Sequence, residues 1–377
     1  MSAPTVSSTV DGKTSAGQLV LSAWSTLSPY GVGGEAFSAG IRAGRSAVRP
    51  LDRDAFPGPF TRGGVLADFS PAGFLGKRGT RAMDRLTALA IGTLGLIVEE
   101  CGPQLTADAE RIGLVLGTGS GSIQSIMDFT RDSLAGRKPY HVDSALFPNT
   151  VMNKAAGQSA IWHGIKGPNT TITGDWSTCL LALSYAIRLV RGGQCDRVLC
   201  GAVEEHSAQR AWLEWHAGAS HSQRPALAEG GAFFLLETLA GARNAGRTPV
   251  ARVLSTRFRG VGDPADPRAA LAACVKAAVE QAGVRGEDVR VVAPSAAEGD
   301  IGSAEKAGIT DVLGATAKWV GCRSLIGDAS SVSTGFQIAA ALSVAESFGD
   351  NDLALVTTID RDGTVGCALL GGYGAGS

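Results

Sequence analysis

The run Thr170-Thr171-Ile172-Thr173-Gly174-Asp175-Trp176-Ser177-Thr178-Cys179 leads from a β-branched stretch through a glycine into an apolar stripe. That stripe, Leu180, Leu183, Ile187 and Val190, has helical spacing and stops at Gly192-Gly193. The pattern predicts a strand, a sharp turn and a helix. A residue just after such a turn stands at the positive end of the helix, where a thiolate is favoured, so the turn is a natural place for a nucleophile. This chain puts Trp176 there. An indole can neither form a thioester nor add to a carbonyl. Asp175 is placed as an N-cap whose carboxylate accepts from unpaired backbone N–H groups. Cys179 is the nearest thiol, on the first helical turn, where the charge of Asp175 would raise its pKa and blunt it as a relocated nucleophile.

The turn needs a scaffold, and the chain alternates short apolar runs with longer amphipathic ones, the mark of an α/β fold with buried strands. Strands are predicted at 19–21, 113–116, 170–173, 197–200 and 233–236, with a second set at 250–254, 289–293, 353–357 and 367–370. Helices are predicted at 81–101, 177–191, 267–282, 304–313 and 333–347. The two sets share an order and each ends in a strand pair, so an internal duplication is expected. The small, polar segment 240–247 makes the best hinge between halves. Residues 1–16 read as a loose, flexible tail rather than a signal peptide, leaving 17–240 and 241–377 as N-terminal and C-terminal halves.

A length of 377 residues allows one large duplicated α/β body with ample core. With 18% charged residues and a net charge of −1, nothing marks nucleic acid or an anionic membrane as a partner. No run approaches the roughly 20 apolar residues that span a bilayer. The seven cysteines are odd in number, scattered and without a Cys-x-x-Cys pair. That disfavours a disulfide framework or zinc site and fits a reducing cytosol, so a cytoplasmic location is expected. The histidines, His141, His163, His206, His216 and His221, lack metal-ligand spacing, and no metal or cofactor is expected. His206 and His216 flank Trp212 in a segment, 204–221, that reads as helical and solvated. Glu229-Gly230-Gly231 reads as a turn into a strand with no phosphate role.

Several blocks, in order, carry a resemblance. They are Ser28-Pro29-Tyr30-Gly31 with Phe37 and the arginine-bearing stretch 43–50; the stretch 147–153 with Ala156-Gly157-Gln158 and 164–169; and the block 192–204. From Leu19 to Leu370 the chain resembles a β-ketoacyl synthase of the thiolase fold, and within that group a chain length factor, the catalytically silent partner of a type II polyketide ketosynthase. The resemblance implies a thiolase-like fold of duplicated α/β halves in a five-layered αβαβα body. It also places the family's functional positions. The nucleophilic cysteine falls on Trp176. The first catalytic histidine, counted back from Glu305 without gaps, falls on Pro294, and the second, after the glycine of Arg323-Ser324-Leu325-Ile326-Gly327, falls on Asp328. The gating phenylalanine of the C-terminal glycine-rich loop falls on Arg361.

In the enzymes the histidine pair donates hydrogen bonds to the thioester carbonyl and steadies the charge that develops as carbon dioxide leaves. Proline has no side-chain donor, and an aspartate would set negative charge where an enolate oxygen must form, unfavourable by on the order of several kcal/mol. The expectation is therefore a non-catalytic subunit that forms a heterodimer with a catalytic ketosynthase, meets the acyl carrier protein through that complex, and shapes the tunnel that sets polyketide or polyene chain length. An aspartate before the lost cysteine is seen among chain length factors, whereas their replacement for the cysteine is often glutamine. Tryptophan departs from that and points to a factor for a reduced, polyene-type chain. Tunnel or interface candidates are Ile123, Met127 and Thr130 on one face of a helix, with Phe147 and Val151 ahead of the strand that pairs across the dimer; core packing is the plain alternative for each. Arg42, Arg45 and Arg49 face either the carrier protein or solvent. The competing expectation is a divergent acyltransferase or hydrolase using Cys179, Asp175 or Asp328.

Overall fold

Strands with apolar residues on both faces need cover on both sides, and the strands of this chain alternate between two different cores. The computed structural model describes residues 17–217, 225–261, 267–345 and 352–372. The expected tail, His221 and the last residues of the helix predicted at 333–347 lie outside the described residues. The strands that matter are β1 (Leu19–Ser28), β2 (Ile112–Gly117), β3 (Asn169–Ile172), β4 (Arg197–Glu204), β5 (Gly230–Thr238), β6 (Ala251–Gly260), β7 (Val289–Ala293), β8 (Lys318–Trp319), β9 (Leu353–Ile359) and β10 (Thr364–Gly371). The helices are α1 (Gly33–Arg42), α2 (Arg85–Cys101), α3 (Ile123–Ala135), α4 (Lys154–His163), α5 (Thr178–Arg191), α6 (Ala208–Ala217), α7 (Leu239–Asn244), α8 (Pro267–Ala282), α9 (Gly299–Leu313) and α10 (Ser333–Ala345).

The ten strands follow the order β8-β7-β9-β10-β6-β1-β5-β4-β2-β3 in one mixed sheet. Its two halves are copies of one plan. In each, two parallel contacts on the outer side (β3 to β2 to β4, and β8 to β7 to β9) give way to two antiparallel ones on the inner side. The halves join only at Val20 beside Arg252 and Leu21 beside Ala251. The duplication expected from the sequence is therefore present in the strand order.

The cores give the layers. Val115, Cys200 and Phe234 of the first half-sheet, and Val291, Val356 and Ala368 of the second, all bury against α5 and α10. On the far side of the first half-sheet, Leu114, Leu199 and Phe233 pack on α2 and α4. On the far side of the second, Val292, Leu355 and Leu369 pack on α8 and α9. Helix, sheet, helix, sheet, helix is the result. Because α5 and α10 sit between the two half-sheets, they are largely apolar, with Leu180, Leu183, Ile187, Phe336 and Ile338 buried. A bulge between Leu21 and Ala23 switches the face of β1, so Leu19 and Leu21 serve the central core while Ala23 and Leu27 serve the outer one.

Two local expectations change. Helix α2 begins at Arg85, not at 81, because Asp84 caps it by accepting from the Thr87 N–H at 2.8 Å. The segment 240–247 is not an open hinge. It lies largely in α7, capped by Thr238, with Leu239 and Ala242 packed on Val20 and with Arg247 paired to Glu237 at 2.6 Å. Small residues there fit a tight helix against β1, a role that composition alone does not distinguish from flexibility.

Candidate functional site

In parallel α/β sheets, functional groups collect where strands end and helices begin. Here β3 ends at Ile172, β4 at Glu204 and β9 at Ile359, and the residues that follow converge on the turn before α5. Trp176 lies in that turn, 5% exposed. Its indole N–H donates to Asp328 Oδ1 at 3.0 Å, and Arg323 Nη2 donates to Asp328 Oδ2 at 2.7 Å. The Arg323 guanidinium also lies 4.2 Å from the indole centroid, and that of Arg361 lies 5.5 Å away, both within cation–π range. The backbone fixes the ring from below. Thr334 Oγ1, on the first turn of α10, donates to the Trp176 carbonyl at 2.8 Å.

The tryptophan, the aspartate and the gate-position arginine expected from the sequence thus form one cluster. Burial works to raise the pKa of Asp328, but Arg323, the Ser330 N–H, Arg210 and Arg361 outweigh it and hold the carboxyl below its usual range. Asp328 is an anion that accepts and cannot donate. Pro294 stands buried just past the end of β7 and offers no donor. Its neighbour Ser295 bonds instead to Glu305, through the backbone at 2.9 Å and the hydroxyl at 2.7 Å.

Asp175 is not the N-cap of α5. That position belongs to Ser177, while both carboxylate oxygens of Asp175 take the guanidinium of Arg361, Nη2 to Oδ1 at 2.8 Å. Arg361 also reaches Glu214 Oε2 at 3.1 Å, and the Asp175 bond, ahead of the opposing burial, keeps its guanidinium charged. A two-pronged charged contact of this kind outcompetes a cap supplied by the same carboxylate. The Ser177 N–H is satisfied by Asp360 at 2.8 Å, whose pKa burial pushes up to about 6. The loop at 360–363 is therefore tied to the start of α5 by two carboxylates. In front of it a cavity of about 280 Å³ is lined by Ser120, Ile123, Asp175, Glu214, Arg361 and Asp362, among others.

The stretch expected to be solvated, 204–221, is buried at its start. Glu204, Glu205, His206 and Arg210 are all at most 3% exposed. Arg210 donates to the carbonyls of Glu205 at 2.8 Å, Ala228 at 2.7 Å and Asp328 at 3.3 Å. Glu229, fully buried, takes both Arg85 Nε at 2.8 Å and Nη2 at 2.6 Å. These pairs staple the start of α2 and the strand ends around Asp328. Burial first, then the Asp84 charge, raises Glu205 to about 8, and burial lowers His206 to about 4. The partners are far apart in sequence, so periodicity did not find them; the signal was position, since Glu204-Glu205-His206 directly ends a buried apolar strand. Among the described residues of that stretch only Ala208–Ala217 is helical, with Trp212 and Leu213 outward.

The remaining candidates separate. Ile123 lines the cavity in front of the 360–363 loop, whereas Met127 and Thr130 face a shallow groove with Leu134 and Ala135. None is core, because α3 buries no residue at all. Phe147 is 55% and Val151 40% exposed, with the Phe147 ring 5.8 Å from that of Phe129. Cys179 is enclosed, and burial, then Cys200, holds its thiol well above the ordinary range. His141 meets the Tyr140 ring edge-on, His163 meets the Ile91 carbonyl at 3.0 Å, and His216 stacks on Trp212. Arg42 bonds the Ser343 carbonyl at 3.2 Å and Arg45 lies over Tyr30, so both have partners within the chain, while Arg49 is exposed in a short outer strand. Among the described residues no group of three or more His, Cys, Asp or Glu could hold a metal ion, and no helix is long and apolar enough to cross a membrane.

Comparison with known proteins decides the family. Residues 18–240 match the model for the beta-ketoacyl synthase N-terminal domain. The chain belongs to the beta-ketoacyl synthase family. Its fold is similar to that of the ishigamide ketosynthase/chain length factor, with a TM-score of 0.86 and 40% identity over 95% of this chain and 100% of that one. It is 29% identical to the tetracenomycin polyketide synthase ketoacyl synthase alpha subunit of Streptomyces glaucescens, covering 73% of this chain and 71% of the relative. It is 25% identical to 3-oxoacyl-[acyl-carrier-protein] synthase 2 of Vibrio cholerae, covering 79% and 77%. The thiolase-like architecture and the likeness to chain length factors, both expected from the sequence motifs, stand. Within this family the cluster of Trp176, Asp328 and Arg323 occupies the turn at the head of the central helix.

Proposed function

We propose that this chain is a non-catalytic member of the beta-ketoacyl synthase family that pairs with a cysteine-bearing ketosynthase and closes the far end of its partner's acyl tunnel, so limiting the length of a polyketide or polyene chain. One observation carries the reading: the Trp176 indole fills the turn and is bonded to Asp328, itself held anionic by Arg323. A decarboxylating condensation needs a nucleophile, and donors around a developing enolate oxygen. This arrangement offers an inert ring and an acceptor. The cysteine nearest to it, Cys179, has a shielded, high-pKa thiol and no base beside it, which counts against a rearranged acyltransferase or hydrolase.

Features at the surface support a partner. Strand β3 is a partly exposed edge, paired on one side to β2 only among the described residues, and unpaired edges invite a strand from another subunit. Leu134, Phe147, Val151, Met152 and Ile161 are exposed apolar residues of the same half. The carrier protein would be met by the assembled pair, and one added or removed methylene at the tunnel end is worth about 1 kcal/mol, enough for a few side chains to set a stopping point.

The test is purification of the chain alone and with a cysteine-bearing ketosynthase. Alone, it should neither decarboxylate malonyl thioesters nor take an acyl label. Together, the two should give a one-to-one complex that condenses, and enlarging Val151 to Trp should shorten the product. An acyl adduct on the lone chain, located by mass spectrometry, would sink the reading.

A further inference from the structure

Among the described residues the two half-sheets pair at only two positions, and beyond Arg252 the side of β6 toward β1 has no strand partner. A notch opens there, of about 140 Å³, between that free edge and the last turns of α5. Its walls carry Arg188 and Arg191 from α5, Arg257 from β6, and the polar side chains of Ser184, Thr256 and Gln281. No carboxylate among the described residues lines it. Among the described residues these three arginines take part in no ion pair, whereas Arg85, Arg111, Arg247, Arg268, Arg323 and Arg361 each hold an Asp or Glu. Across the notch the Thr256 hydroxyl donates to Ser184 Oγ at 3.4 Å, which leaves the Ser184 proton, and lone pairs on both oxygens, for a third group.

We propose that this notch is a binding site for a phosphate-class oxyanion, held by Arg188, Arg191 and Arg257 and oriented by Ser184, Thr256 and Gln281. Guanidinium forks match tetrahedral oxyanions in geometry as well as charge. The opposing effect is the carbonyl end of α5, worth roughly −0.5 of a charge, which three guanidiniums exceed several-fold. Size agrees, since a water takes about 30 Å³, so the notch holds a few waters or one such ion. The site lies toward the opposite end of α5 from Trp176, with Arg188 and Arg191 twelve and fifteen residues further along at about 1.5 Å each, and so is separate from the acyl turn. It therefore does not depend on the proposed function.

The full chain is titrated with inorganic phosphate, followed by calorimetry and by phosphorus NMR, with chloride at matched ionic strength as control. Saturable one-to-one binding is expected, weakened at least tenfold in R188Q/R191Q and in R257Q. If a double variant folds poorly, R191Q alone, at an exposed helix end, carries the same comparison, and R257K should restore only part of the affinity because the fork is lost. Competition by glycerol phosphate would place the site's ligand on a small organic phosphate, and failure to compete would restrict it to the free ion; either supports the site. Phosphate acting no differently from chloride, or binding undiminished in R257Q and R191Q, overturns it.

Discussion

At the scale of single residues, Trp176 is both plug and donor. Removing it in W176A leaves a cavity where an indole was packed and deprives Asp328 of a hydrogen bond, at a cost of about 3–5 kcal/mol in unfolding free energy by denaturant titration. W176C should still fail to decarboxylate malonyl thioesters, because a thiol alone does not supply the missing donors. Glu205 gives a pH signature. Its carboxyl is raised in the fold from 4.5 to about 8, so the native state holds the proton more tightly than the unfolded chain. Its contribution is fully present below about pH 4.5 and is lost as pH rises through 8. E205Q, which keeps the bond from Ser122, should flatten the fall in melting temperature between pH 5 and 9; an unchanged slope would put the titration elsewhere. The missed role of Asp175 belongs to this scale as well. Read locally, an aspartate ahead of a helix is a cap, and the arginine that claims it is 186 positions away.

At the scale of elements, close backbone approach sets the start of β5. Gly230 has φ +143°, and a Cβ there would come within 2.2 Å of the Leu27 carbonyl oxygen. G230A should therefore destabilise the chain by about 3 kcal/mol or more, seen as a fall in urea midpoint, since backbone rather than a movable side chain blocks the space. The strands and central helices were legible because their apolar runs have buried partners on one or both faces whatever the topology. The predicted strand at 289–293 is the observed one, that at 170–173 is displaced by one residue from Asn169–Ile172, that at 250–254 starts one residue early and stops short of Gly260, and the rest are short, by as many as seven residues in β1, as where polar ends such as Glu204 continue a strand into the site. Segment 240–247 was misread since small residues serve a tight helix contact and a flexible linker equally well. The helical face of Ile123, Met127 and Thr130 was read correctly as helix, yet periodicity cannot say whether a face meets core, groove or partner.

At the scale of the whole molecule, the exposed apolar surface of the first half calls for cover. M127D/F147D places charge on two side chains that are 42% and 55% exposed, so the lone chain should melt within about 1 kcal/mol of wild type, as surface changes do. Under the proposed heterodimer, the same variant should lose co-purification with a ketosynthase. Retained one-to-one assembly would move the interface elsewhere on the molecule.

What the amino-acid sequence determined by itself was local and chemical: an indole where a thiol could act, buried strands, duplicated order, and the likeness to chain length factors. These follow from residue type and short-range periodicity, which act through a few neighbours along the chain. Tertiary structure alone decided that Asp328 accepts from that indole, that Asp175 serves Arg361, that Glu204-Glu205-His206 lie inside, and that three arginines line one notch where the half-sheets join. Each of those depends on groups brought together from distant segments, where burial and charge pairing outweigh local preference.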